Sequence, residues 1–175
     1  MKTAKLQLLC RVTDQSIGFV LLVSTRYIIM PSSVFLEDGS ILTVLRRGRG
    51  TDESGWLETL KSEDLGKSWR LISRPVENPG IGGNPGSLSL LPDGRLAIVY
   101  GSRNRPYAIR MKISSDGGPS WSNEEIVGEP APLSDIGYPR TVVLNDGSLL
   151  AVYYTNEGEE RFIVASRIEI PDVVR

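Results

Sequence analysis

The chain writes one short motif twice, about fifty residues apart, which is the spacing expected of stacked structural repeats. It reads Ser62-Glu63-Asp64-Leu65-Gly66-Lys67-Ser68-Trp69 and then Ser114-Ser115-Asp116-Gly117-Gly118-Pro119-Ser120-Trp121. Both copies fit S-x-D-x-G-x-S-W. A unit of this length cannot bury a core of its own, so its apolar faces must be covered by like units.

A second pattern occurs three times. Ser33–Leu36 precedes Asp38-Gly39, Ser87–Leu91 precedes Asp93-Gly94, and Thr141–Leu144 precedes Asp146-Gly147. Each is followed by a second β-rich run. Asp-Gly favours the positive φ angles of a tight hairpin, so each reads as strand, turn, strand. After the first two hairpins comes a third strand ending in the repeated motif. A short fourth strand follows, Arg70–Val76 in one unit and Glu124–Val127 in the other. Four antiparallel strands repeated around an axis make an all-β β-propeller, with few or no helices.

The blades fall at approximately 31–77, 84–128 and 138–170, after an N-terminal segment 1–30. In the third blade Arg161–Ile170 supplies a third strand, but no motif and no fourth strand follow. Either Lys5–Val12 or Gly18–Ile29 is a candidate to complete it. About three blades fall short of the four to eight of a closed propeller. The chain therefore reads as a partial propeller, with a homodimer that closes the ring as the alternative.

The repeated motif is structural. Ser62 and Asp64, with Ser114 and Asp116, offer acceptors to backbone N–H groups of the turn. Gly66 and Gly118 allow its backbone shape. Trp69 and Trp121 lay large rings into the packing layer.

Composition removes whole classes of chemistry. There is no histidine in the 175 residues, so histidine general bases and histidine-ligated metals are excluded. A lone Cys10 forms no internal disulfide and no metal cluster, and no cofactor is expected. A net charge of −1 gives no general case for nucleic acid or an anionic membrane. The apolar run Ile17–Val23 is far below the ~20 residues of a membrane span. Met1–Cys10 is too short for a signal peptide, which leaves a cytoplasmic chain or one lacking its native start.

Strand direction alternates, so the Asp-Gly turns and the tryptophan turns share one rim. The other rim carries the remaining loops: Arg46–Gly50, Gly80–Gly86, Ser102–Tyr107, Ser134–Arg140 and Thr155–Arg161. These are rich in Arg, Tyr, Asn and Glu, which suits a pocket that reads an anion through guanidinium groups. Several have plainer readings. Arg46, Arg47 and Arg49 read as an exposed basic loop. Arg140 can pair with Asp135 or Glu157. Tyr138 can simply pack on a neighbouring blade.

The two tryptophan turns resemble the Asp boxes of the sialidase (neuraminidase) superfamily. Asn84–Arg103, reading NPGSLSLLPDGRLAIVYGSR, resembles a sialidase blade that runs from a loop carboxylate to an arginine. Gly137–Gly147, reading GYPRTVVLNDG and continuing to Tyr153-Tyr154, resembles the last sialidase blade, which carries the catalytic tyrosine. The likeness covers residues 33–170. It implies a retaining glycosidase whose nucleophile is tyrosine. Arginines hold the sugar carboxylate, a glutamate assists the tyrosine and an aspartate serves as acid and base. By this resemblance Tyr138 is the nucleophile and Arg103 a carboxylate clamp. Arg105, Arg110, Arg140, Tyr107 and Asn84 are substrate-binding candidates, and an acidic glycan or sialoside is the substrate. The chain departs from the pattern in three ways. Asn84 stands where the assisting glutamate belongs, no F/Y-R-I-P segment appears, and the blade bearing the acid/base aspartate is missing.

Overall fold

The computed structural model describes residues 11–13, 16–17, 27–48, 55–82 and 85–171. All regular structure among them is β. A small hairpin, β1 (Arg11–Thr13) and β2 (Ser16–Ile17), precedes three larger sheets. The first is β3 (Tyr27–Phe35), β4 (Ile41–Gly48), β5 (Gly55–Ser62) and β6 (Arg70–Val76). The second is β7 (Gly86–Leu90), β8 (Leu96–Ser102), β9 (Tyr107–Ser114) and β10 (Glu125–Ala131). The third is β11 (Gly137–Val143), β12 (Leu149–Glu157) and β13 (Glu160–Ile168). Every sheet is antiparallel with strands in sequence order. These are successive β-propeller blades, two of four strands and one of three.

The three Asp-Gly turns match bond for bond. Gly39, Gly94 and Gly147 each donate N–H to the carbonyl three residues back, at 3.0 Å in all three turns. The turn aspartates Asp38, Asp93 and Asp146 each accept the N–H two residues on, at 2.9–3.0 Å. The tryptophan turns match as well. Ser62 Oγ accepts from Gly66 N at 2.8 Å, and Ser114 Oγ from Gly118 N at 2.9 Å. Trp69 Nε1 donates to Gly66 O at 3.0 Å and Trp121 Nε1 to Gly118 O at 2.9 Å. Asp64 is held down to about 2, first by the Ser68 hydroxyl and then by the Ser68 backbone N–H. Asp116 is likewise down at about 2, with the Ser120 hydroxyl the largest cause.

The innermost strands β3, β7 and β11 lie side by side around the axis. Ser32 Oγ accepts from Leu88 N at 3.0 Å, and Ser87 and Ser89 both share hydrogen bonds with Thr141 Oγ1, at 2.8 and 2.7 Å. Two apolar layers fill the wedges between blades. Leu42, Val44 and Leu57 meet Leu88, Leu96 and Ile98 in the first; Ala97, Val99 and Met111 meet Leu149, Ala151 and Tyr153 in the second. Alternation along each central strand sends one set forward to the next blade and the other back.

Some expectations need correction. The first blade begins at Tyr27, because Tyr27–Ile29 pairs with Arg46–Gly48 of β4. That part of Gly18–Ile29 is therefore not a strand for the last blade; residues 18–26 lie outside the described residues. Arg11 and Thr13 pair with β2 rather than with β13, and Lys5–Cys10 lie outside the described residues. The fourth strand of the second blade reaches Ala131, four residues past the expected Val127, carried through a register shift that sets Ala131 opposite Tyr107.

Arg46 and Arg47 are not an exposed basic loop. Arg46 is fully buried. Its guanidinium lies over Gly48 and Gly55, where a Cβ would come within 3.2 and 3.1 Å of it. Arg47 Nε donates to Glu58 Oε1 at 2.6 Å, and Trp56 Nε1 donates to Glu58 Oε2 at 3.0 Å. Glu58 is 2% exposed, so its charge is matched inside the sheet layer. Pairing within β4 and β5, not loop position, decides where these arginines go. Arg49 lies outside the described residues.

Candidate functional site

The loop rim opposite the turns brings four sequence-separated segments together. β8 ends at Ser102, and Arg103 follows it. Arg103 N donates to Pro79 O at 2.7 Å, and Gly80 sits directly against the Arg103 backbone. Asn104 Nδ2 donates to Asn78 O at 2.9 Å, and Asn78 Oδ1 accepts from Gly80 N at 2.9 Å. The Pro79–Gly80 loop is thus the seat on which Arg103 rests.

Arg103 points to the third blade. Its Nη2 lies 3.3 Å from Tyr154 Oη and 3.9 Å from Asp135 Oδ1. Tyr154 Oη donates to Asp135 Oδ1 at 2.8 Å. Arg161 Nε donates to Asp135 Oδ2 at 2.8 Å. Arg103 Nε is buried with no acceptor. Its guanidinium is therefore under-bonded, since its side-chain partners are distant and a charged donor gains most from a close anion.

Tyr138 completes the group. Its ring stacks on Tyr154 with centroids 5.7 Å apart and planes 21° from parallel. It is 44% exposed, so one ring face is free. Its φ is +50°, a left-handed backbone that a bulky residue before proline rarely takes. Such strain costs of order 1–3 kcal/mol and gathers at functional sites.

Burial pushes the Tyr154 phenol above its usual range, and the Asp135 hydrogen bond pushes the same way. The Arg161 hydrogen bond, then that of Tyr154, draws Asp135 below the usual carboxylate range. Both shifts favour a neutral Tyr154 hydroxyl donating to an ionised Asp135 carboxylate. Asn156 fixes the loop bearing Asp135. Its Nδ2 donates to the carbonyls of Leu133 and Asp135, both at 2.9 Å, and its Oδ1 accepts from Leu133 N at 3.1 Å.

The remaining candidates fall elsewhere. Arg105 is exposed and lies over the Tyr107 ring, 4.8 Å from its centroid. Arg110 is committed to its own blade: Nη1 donates to Glu124 Oε2 at 2.7 Å and Nη2 to Pro106 O at 3.3 Å. Arg140 is exposed and does not pair with Asp135, which Arg161 and Tyr154 have taken. Asn84 lies outside the described residues. Sequence reasoning missed Tyr154, Asp135, Arg161 and Asn156 as a group. The one available signal was position, since Tyr154 is the eighth residue after its turn aspartate, as Arg46 and Gly101 are after theirs. Among the described residues no cluster of three or more His, Cys, Asp or Glu side chains is set to hold a metal.

Fold and rim together define a β-propeller of the kind found in glycoside hydrolases. No protein-family model matches the chain. It is similar to a sialidase of Clostridium perfringens, 26% identical over 121 residues, which cover 58% of this chain and 32% of that protein. Among solved structures it is similar to a Dyadobacter fermentans protein of unknown function, 26% identical with a TM-score of 0.69, covering 87% of this chain and 41% of the other. An α-L-arabinofuranosidase of Fusarium graminearum, solved with arabinobiose, shares the fold at 20% identity and a TM-score of 0.61, covering 81% and 45%. The chain thus spans about a third of the sialidase and less than half of each of these two solved proteins.

Proposed function

We propose that this chain is part of a sialidase-like glycoside hydrolase that acts on acidic glycans. Arg103 takes the sugar carboxylate, and Tyr138 presents its hydroxyl to the anomeric carbon. The observation that carries this reading is that Arg103 and Tyr138 meet on one rim, joined through Tyr154. A carboxylate docking on Arg103 replaces two long contacts with a close, charge-assisted pair. The stacked phenols offer a ring face to the sugar. Attack by Tyr138 Oη would displace the aglycone and leave a glycosyl-tyrosine for water to cleave. That attack needs a carboxylate to take the phenolic proton and an acid to protonate the leaving oxygen. On this reading both come from outside the cluster, because Asp135 is already spent on Arg161 and Tyr154.

The same observation favours a second reading, a propeller that binds acidic glycans without cleaving them. One experiment separates the two. The purified chain is offered a fluorogenic α-sialoside, and N-acetylneuraminate binding is followed by calorimetry. Turnover lost in Tyr138→Phe supports hydrolysis. Binding that survives Tyr138→Phe but weakens at least tenfold in Arg103→Ala, without turnover, supports the binding reading. Preference for a neutral arabinofuranoside over the sialoside would refute the acidic substrate altogether.

A further inference from the structure

We infer that the Tyr154 hydroxyl is a positioning group: it keeps the Asp135 carboxylate off Arg103 and so leaves that guanidinium open to an anion from outside. The inference rests on the reading of Arg103 as the anion-binding residue, and it names the group that sets its availability.

The rim holds its own competitor for the guanidinium. Asp135 Oδ1 lies 3.9 Å from Arg103 Nη2, whereas a direct charge-assisted bond closes to about 2.7–2.9 Å. The backbone of Asp135 is pinned by Asn156, whose Nδ2 donates to its carbonyl at 2.9 Å. Packing does not pin the carboxylate, because the side chain is 52% exposed. Hydrogen bonds hold it instead. Arg161 Nε takes Oδ2, and Tyr154 Oη takes Oδ1, the oxygen that faces Arg103. The same Tyr154 Oη accepts from Arg103 Nη2 at 3.3 Å. A hydroxyl both donates and accepts, so it satisfies each charged group without letting the two meet. Its ring is stacked on Tyr138, which fixes where the hydroxyl stands.

Losing that hydroxyl would free Oδ1 to close on Arg103. A carboxylate tethered beside the guanidinium competes at an effective concentration of millimolar order. An external sugar acid would then have to displace it. Arg103 Nε, buried with no acceptor, and the long Nη2 contacts show the donor capacity that such an internal pair would consume. The expected loss of affinity is about tenfold, the low end for a bond between charged groups, because Asp135 is half-exposed.

Two substitutions isolate the effect. Tyr154→Phe keeps the ring and removes only the hydroxyl. Asp135→Asn keeps the shape and removes the charge, while Arg161 Nη1 still holds the hairpin carbonyls of Glu159 and Glu160. The test joins a crystal structure of Tyr154→Phe to calorimetry with N-acetylneuraminate on the full chain, each variant first matched to wild type by far-UV circular dichroism. In Tyr154→Phe the 3.9 Å separation should close to about 2.8 Å, and binding should weaken about tenfold. Asp135→Asn alone should bind at least as tightly as wild type. The double variant should recover what Tyr154→Phe lost, a rescue that a merely structural hydroxyl would not give. An unchanged Arg103–Asp135 separation, full affinity in Tyr154→Phe, or a loss that Asp135→Asn does not recover would overturn the inference. If wild type itself fails to bind N-acetylneuraminate, the sugar-acid reading falls, and the separation in Tyr154→Phe still decides whether the hydroxyl holds the two charges apart.

Discussion

Gly80→Ala is the substitution whose cost can be worked most directly from this structure. Gly80 has φ +93°, and a Cβ there would lie 2.7 Å from the Arg103 carbonyl carbon, 2.9 Å from its Cβ and 3.0 Å from its Cα. Backbone atoms cannot rotate out of the way. Gly39 supplies the control, since its φ is +78° but a Cβ there meets nothing within 4 Å. Both substitutions incur the cost of placing an L side chain at positive φ, about 1–2 kcal/mol. Only Gly80→Ala adds overlap against packed atoms, about 1–3 kcal/mol more. Urea unfolding should therefore put Gly39→Ala about 1–2 kcal/mol below wild type and Gly80→Ala about 2–5 kcal/mol below. For a chain of this size each kcal/mol lowers Tm by roughly 2–4 °C. Arg103 should also move, because its N–H bond to Pro79 O and the Gly80 contact form one seat. Sugar-acid binding should thus fall in Gly80→Ala and hold in Gly39→Ala. If the two variants lose the same stability within about 0.5 kcal/mol, the seat is not rigid and the account of Arg103 positioning fails.

Three further outcomes follow from the turns and the buried pair. Trp121→Phe should cost about 1–2 kcal/mol and more than Trp69→Phe, by denaturant titration. Trp121 Nε1 reaches Ser73 Oγ of the preceding blade at 3.1 Å as well as its own Gly118, whereas the bond from Trp69 Nε1 to Gly66 O stays within its own turn. Glu58→Ala should cost about 3–5 kcal/mol because it strands the Arg47 guanidinium inside the layer, and Glu58→Gln should cost less. The turn aspartates set the acid limit. Asp64 and Asp116 titrate near 2 when folded against 3.8 when free, so their stabilisation is complete above about pH 4 and drains away as pH falls through 2. Urea midpoints for Asp116→Asn and wild type should differ at pH 7 and converge by about pH 2.

What the sequence made legible was local. Asp38-Gly39 and its two copies could be read as hairpins because their bonds close within five residues. The tryptophan turns were legible for the same reason, since Asp64 and Asp116 satisfy N–H groups of their own loops. Alternation of strand direction then put Arg103 and Tyr138 on one rim. The partners of those residues were not legible. Asp135 could have met Arg140, a near neighbour along the chain, yet cross-strand geometry gave it to Arg161 and Tyr154. Burial of Arg46 and Glu58 depended on the pairing of β4 with β5 and on two glycines facing each other at its end. Nothing in either segment taken alone separates that outcome from a solvated basic loop.

The repeat register also shows where chemistry enters this scaffold. Arg46, Gly101 and Tyr154 are each the eighth residue after a turn aspartate, so they hold one position in three blades. The turns at the opposite rim repeat almost atom for atom, while this position carries a buried cation, no side chain and a phenol in succession. Hydrogen bonding fixes the turns, because a changed residue there strands N–H groups within the loop. At the rim the backbone is already satisfied by strand pairing, so the side chain is free to vary. Tyr154 is the one member of the set whose sheet face no other described blade covers, and it contacts Arg103 and Tyr138. Whatever packs on the third blade must therefore alter the environment of that phenol, and the rim's affinity for an anion should depend on whether the face is covered.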